Sequence, residues 1–132
     1  MADQITLTLP PDPGYTPSVR LLLSGLASHM DFPVDDIEDI RTCASEACLL
    51  LLNGQKCEDI VLMVEAGDAL KVQVTARGVI ADQSVAFEDF SEEISRIMIE
   101  ALSDECVFAE DDGLLCEVGF TKRKDENAGT AK

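Results

Sequence analysis

Apolar and polar residues alternate at the start of the chain, where Ile5, Leu7 and Leu9 are interleaved with Gln4, Thr6 and Thr8. A period of two marks a strand with one buried face. The run Pro10-Pro11-Asp12-Pro13-Gly14 ends it, since proline has no N–H for a ladder and glycine favours a turn. Thr16 followed by Pro17 predicts an N-cap and a first-turn proline, and Val19, Leu22, Leu23, Leu26 and Met30 then recur at helical spacing. After a break at Phe32-Pro33, Asp35 or Asp36 can cap a long helix reaching Asn53, with Ile37, Ile40, Ala44, Cys48 and Leu51 on one apolar stripe. A second stripe carries Asp39, Cys43, Glu46, Leu50 and Asn53. It is polar at its start and apolar around Leu49 and Leu50, so the end of this helix is expected to be buried on both sides.

Ile60, Leu62 and Val64 alternate into Glu65-Ala66-Gly67-Asp68, and Leu70, Val72 and Val74 alternate beyond it, which predicts a β-hairpin. Residues 78–87 read as irregular chain. Phe90, Ile94, Ile97, Met98, Ala101 and Leu102 predict a third helix, and Cys106 to Phe108 and Leu114 to Phe120 predict a second hairpin around Glu110-Asp111-Asp112-Gly113. The order β-α-α-β-β-α-β-β argues an α+β two-layer α/β sandwich, with a mostly antiparallel sheet and the helices on one face, and argues against a doubly wound parallel sheet. Residues 1–121 are expected to form one domain, and 122–132 a polar flexible tail.

At 132 residues and 46% hydrophobic content, the chain can bury one substantial core. Its net charge of −16 would repel phosphate backbones and anionic membranes, which argues against nucleic-acid and membrane partners. Such acidity serves either as a solvated surface or as a face for a basic protein. The five cysteines, Cys43, Cys48, Cys57, Cys106 and Cys116, form no C-x-x-C pair, and the single His29 completes no zinc ligand set. They read as buried reduced thiols of a cytoplasmic protein without a metal site, and His29 as a surface residue at a helix end. No basic segment with an apolar run behind it opens the chain, and no apolar run nears the ~20 residues that span a bilayer.

The residues from Pro10 through Arg20, Leu21, Ser24, Gly25, Ala27 and Ser28, then Ile37-Glu38-Asp39-Ile40, Ala44-Ser45-Glu46-Ala47-Cys48, Leu70 to Val74 and Ile99 to Glu105, resemble the bacterial anti-sigma-factor serine kinases. That family belongs to the GHKL, or Bergerat-fold, ATPases, and the resemblance runs from about residue 4 to 122. It implies a nucleotide site of three parts. The first is a helical Glu followed four residues on by an Asn whose amide oxygen ligates magnesium. Glu46 is the candidate base, but Leu50 stands at the Asn position and has no lone pair to offer; Asn53 lies on the same stripe a turn further on. The second is an Asp that accepts from the adenine amino group, two residues before a Gly; here Ala76 precedes Gly78. The third is a long lid ending in glycines whose N–H groups cradle phosphates. Only fifteen residues separate Gly78 from Ile94, and Glu93 and Ser95 stand where the glycines would fall, behind Glu88, Asp89 and Glu92. Acidic groups there would repel a triphosphate.

Three losses that oppose the same ligand argue a degenerate member: Glu46 vestigial, no ATP, magnesium or other cofactor, and a pseudokinase-like domain acting through a sigma factor, a STAS anti-anti-sigma protein or both, as a homodimer. Two alternatives stay open. One is an active ATP-dependent serine kinase with an unorthodox metal site. The other is a non-catalytic structural or small-ligand module whose collapsed pocket is refilled by Leu49 to Leu52 or opened to an apolar molecule.

Overall fold

The alternating segments become a five-stranded sheet in the computed structural model, which describes residues 2–124. β1 (Asp3–Leu9) lies at one edge, followed in space by β3 (Asp59–Ala66), β4 (Ala69–Arg77), β7 (Leu114–Arg123) and β6 (Glu105–Asp111) at the other edge, every neighbour antiparallel. Three helices, α1 (Thr16–His29), α2 (Val34–Leu52) and α3 (Glu92–Leu102), complete a two-layer α+β sandwich of the GHKL-like kind. Period-two alternation sends Ile60, Leu62, Val64, Leu70, Val72, Val74, Val118 and Phe120 into the core. The other sheet face mixes polar side chains with the exposed Met63 and Val107, and a hollow of about 330 Å³ runs across it between Thr6, Met63, Gln73, Val107 and Thr121.

α2 lies at the centre of the helical layer, packed between α1 and α3 and over β4 and β7. Ile40, Ala44, Cys48 and Leu51 of its expected stripe are buried, and so are Cys43 and Leu50 of the second. Ala47 and Leu52 are buried as well, so the helix end is enclosed on both sides as its sequence predicts. His29 is the exposed last residue of α1.

Several boundaries differ from the sequence reading. Thr16 is the first residue of α1 and not its cap; Tyr15 holds that position, while Asp12 caps a preceding 3-10 turn by accepting from the Gly14 N–H at 2.8 Å. Pro33 caps α2, and Asp35 and Asp36 sit inside the first turn, where carboxylates suit the helix dipole. Within residues 78–87, β5 (Ile80–Ala81) pairs with β2 (Gln55–Lys56) and a 3-10 turn follows at Gln83–Val85, so this stretch is ordered structure too short to leave a period. α3 starts at Glu92 behind a Ser91 cap and not at Phe90. β7 continues through Arg123, so Lys122 and Arg123 belong to the sheet and not to a tail; residues 125–132 of the expected tail lie outside the described residues.

Among the described residues, no helix is long and apolar enough to cross a membrane. Cys43 and Cys48 are buried and Cys57, Cys106 and Cys116 half-buried, all as free thiols.

Candidate functional site

The stripe Cys43, Glu46, Leu50 and Asn53 is covered by α3 and the chain leading into it. Ser95, on the first turn of α3, is 2% exposed and donates its hydroxyl to Glu46 Oε1 at 2.5 Å. One turn further along α3, the carbonyl of Ile99 accepts from Cys43 Sγ at 3.9 Å. At the other end, Asn53 Nδ2 donates to Glu92 Oε1 at 3.2 Å, and Asn53 Oδ1 accepts from the Phe87 N–H at 2.8 Å. Leu50 lies between these ties on α2, 2% exposed. The two helices are therefore joined residue by residue along the face on which the resemblance places a nucleotide.

The shortened lid segment is fastened to the end of α2. The Asp82 N–H donates to the Gly54 carbonyl at 2.9 Å, and Lys56 Nζ is 3.0 Å from Asp82 Oδ2. Asp82 also accepts from the side chain and backbone N–H of Ser84; with Lys56 these bonds hold its carboxyl down at about 2. Phe87 and Phe90 meet edge to face with centroids 5.7 Å apart, ahead of the Ser91 cap.

Ala76 is 3% exposed on β4, opposite Ile60, with only its methyl group facing the core. Gly78 has φ +66, and a Cβ there would lie 2.9 Å from Glu58 Cγ. Both the left-handed backbone and the close approach require glycine at this position. Next to it Arg77 forms a two-pronged ion pair with Asp59, which pulls the Asp59 carboxyl below the usual carboxylate range. Glu93 is exposed on the first turn of α3, apart from the buried Ser95.

The expected site residues thus divide. Glu46 and Ser95 come together, Asn53 reaches the same segment through Glu92 and Phe87, and Leu50 is buried between them along α2; Ala76 lies in the sheet and Glu93 at the surface. Asn53 uses its amide nitrogen and one lone pair of its amide oxygen on protein groups, so its orientation is set by Glu92 and the Phe87 N–H. Among the described residues, no group of three or more His, Cys, Asp and Glu side chains is arranged to hold a metal ion. The sequence reading missed Lys122. Its Nζ donates to the Leu102 carbonyl at 2.9 Å and to Asp39 Oδ2 at 3.1 Å, with side-chain exposure of 13%. It ties the last turn of α3 to α2 and β7, where a cation also suits the helix dipole. A lone lysine in a polar stretch carried no signal for this.

Burial pushes the thiols of Cys43 and Cys48 up to about 12, and also raises those of Cys57 and Cys106. None is a nucleophile at neutral pH.

No family model matches the chain. It is similar to proteins named serine-protein kinase RsbW: that of Bacillus velezensis is 50% identical over 46 residues, which span 35% of this chain and 29% of that protein. That of one Bacillus cereus strain is 26% identical across 85% of this chain and 81% of its own length. A third, from another Bacillus cereus strain, is 31% identical over 84 residues, 61% of this chain and 52% of that protein. The highest identity is thus confined to less than a third of the relative's length, and the lowest extends over most of it. A concentrated stretch of identity inside a longer, weaker match, on a GHKL-like sandwich, is what the chain shares with the serine-protein kinases named RsbW.

Proposed function

We propose that this protein is a cytoplasmic anti-sigma-factor-like regulator that works by binding protein partners, a sigma factor, a STAS anti-anti-sigma protein or both, and that it has given up ATP binding and phosphoryl transfer. The observation that carries this reading is the contact between α3 and α2. Glu46 is held by Ser95 at 2.5 Å, and Leu50, one turn further along α2, is buried in the core. For a kinase, Glu46 must face a hydroxyl to be phosphorylated or a water, and a metal must neutralise the phosphate charge. Here its carboxylate faces a serine of its own chain, and the neighbouring position one turn on is a hydrocarbon. The sandwich and its first strand and helices, which the family uses for dimerisation and partner binding, persist with the chemistry removed, and a homodimer through β1 and α1 belongs to this reading.

Transfer of labelled phosphate from ATP to a purified STAS partner, measured beside complex formation with that partner and with a sigma factor, tests it. Complexes without incorporated label are expected. Label in the STAS protein that disappears in a Glu46→Gln variant would establish the active-kinase reading instead.

A further inference from the structure

α3 turns its most regular apolar stripe away from the protein. Ile94, Ile97, Met98 and Ala101 stand at i, i+3, i+4 and i+7, the spacing of a helix-packing seam. Yet Ile94 is 59% and Ile97 55% exposed, Ala101 is exposed and Met98 half-buried at the seam's inner edge, and the buried residues of this helix are Ser95 and Ile99. The orientation is fixed by specific contacts. Ser95 is bonded to Glu46, Ile99 is fully buried, and Arg96 lies 4.8 Å over the Phe108 ring with its guanidinium 3.5 Å from Glu110. Lys122 holds the carbonyl of Leu102 at the far end. Rotating the helix to bury the seam would break all of these, so the seam stays in solvent. Single exposed apolar residues need no explanation, but a seam of them on one anchored helix has the form of a helix-docking face.

The surrounding charge selects the occupant. Glu93 and Glu100 stand beside Ile97 on the exposed side of α3, with exposed Glu88 and Asp89 before the helix and Asp104 and Glu105 after it. Among the described residues neither Glu93 nor Glu100 has an ion-pair partner, and the whole chain carries −16. A second copy packed on this seam would bring carboxylates against carboxylates, whereas Lys and Arg flanking an apolar stripe would complement both features.

We propose that the outer face of α3, Ile94, Ile97, Met98 and Ala101 rimmed by Glu93 and Glu100, docks a basic amphipathic helix of a partner protein. This rests on the reading above, binding in place of catalysis, and adds the surface and the chemistry it selects.

The test uses the full chain and a synthetic Leu/Lys amphipathic helical peptide, followed by fluorescence anisotropy and by amide exchange over residues 92–102. Binding with protection of α3 is expected, weakened by salt. The Ile94→Ser/Ile97→Ser variant should lose roughly tenfold or more in affinity, as when buried anchor side chains are removed from an interface. Both side chains are exposed, so circular dichroism and melting of that variant should match the parent. A scrambled peptide of equal charge should also bind roughly tenfold more weakly, since it presents no apolar face. Equal binding of the two peptides, protection elsewhere, or undiminished binding by the variant would each overturn the proposal. So would sedimentation showing a dimer that the variant abolishes, which would give the face to a second copy. The same variant is then tried on the sigma factor and STAS proteins. Undiminished complexes would overturn α3 as the partner face while leaving the functional reading intact. Peptide binding at α3 without any complex of the parent would sink the functional reading and keep the docking face.

Discussion

Leu50 shows how one side chain changes what a helix face can do. At 2% exposure it is part of the core, and its neighbours on the stripe are tied to α3 through Ser95 and Asn53. Replacing it by the asparagine of the resembling family would not rebuild a metal site, because Asn53 and Glu46 are already engaged. The Leu50→Asn variant is expected to lose about 3–5 kcal/mol of stability in urea denaturation, from lost packing plus an amide buried without partners. It should gain no magnesium- or ATP-dependent stabilisation; recovery of stability on adding either would contradict the closed geometry. The buried thiols make a second residue-scale prediction. The thiols of Cys43 and Cys48 lie at about 12 in the fold against an ordinary 9.0, so folding favours their neutral form. Below pH 9.0 both states keep the proton and the stabilisation is complete; between 9.0 and about 12 the unfolded chain ionises first, and stability falls. Urea midpoints should therefore drop on going from neutral to strongly alkaline buffer. The drop should be smaller in a Cys43→Ala/Cys48→Ala chain, and an equal drop in both chains would remove the thiols as its cause.

Among the elements, α3 is the one whose placement decides the site, and Lys122 is the residue that fixes its end. Lys122→Met keeps the hydrophobic stem and removes the bonds to Asp39 and the Leu102 carbonyl. A loss of about 1–3 kcal/mol is expected from a charge-assisted pair of this kind with its partners left behind, with faster amide exchange at the C-terminal turn of α3. No change in exchange there would mean the lysine does not hold the helix. The two hairpins, β1 and the body of α2 were legible from sequence, since a buried strand face or a two-sided buried helix writes its period directly into the residues. The buried side of α3 was not. Its apolar stripe predicted a helix without saying what receives the stripe; Ile94 and Ile97 are exposed, and Ser95 is buried with its hydroxyl on a carboxylate 49 positions away in sequence. Periodicity reports that a stripe exists and is silent on which neighbour, if any, receives it. β2 and β5 escaped for a simpler reason: two residues cannot display a period.

Across the whole molecule, an intact sandwich carries α3 packed on the α2 face where the resemblance implies a nucleotide site. Glu46, Leu50, Ala76 and Ser95 were each readable against a family pattern; that Ser95 bonds Glu46 while Leu50 is buried one turn along the same helix is a property of the fold. The acidic surface adds the complementary half, carboxylates without basic partners beside an apolar seam. The central claim is that the α2–α3 contact has replaced nucleotide binding, and ligand-dependent melting addresses it directly. With ATP and magnesium raised to millimolar concentrations, the melting temperature should stay where it is without them. Binding at 100-fold above the dissociation constant would add about 2.7 kcal/mol, and a clear rise in melting temperature that needs both ATP and magnesium would contradict the account.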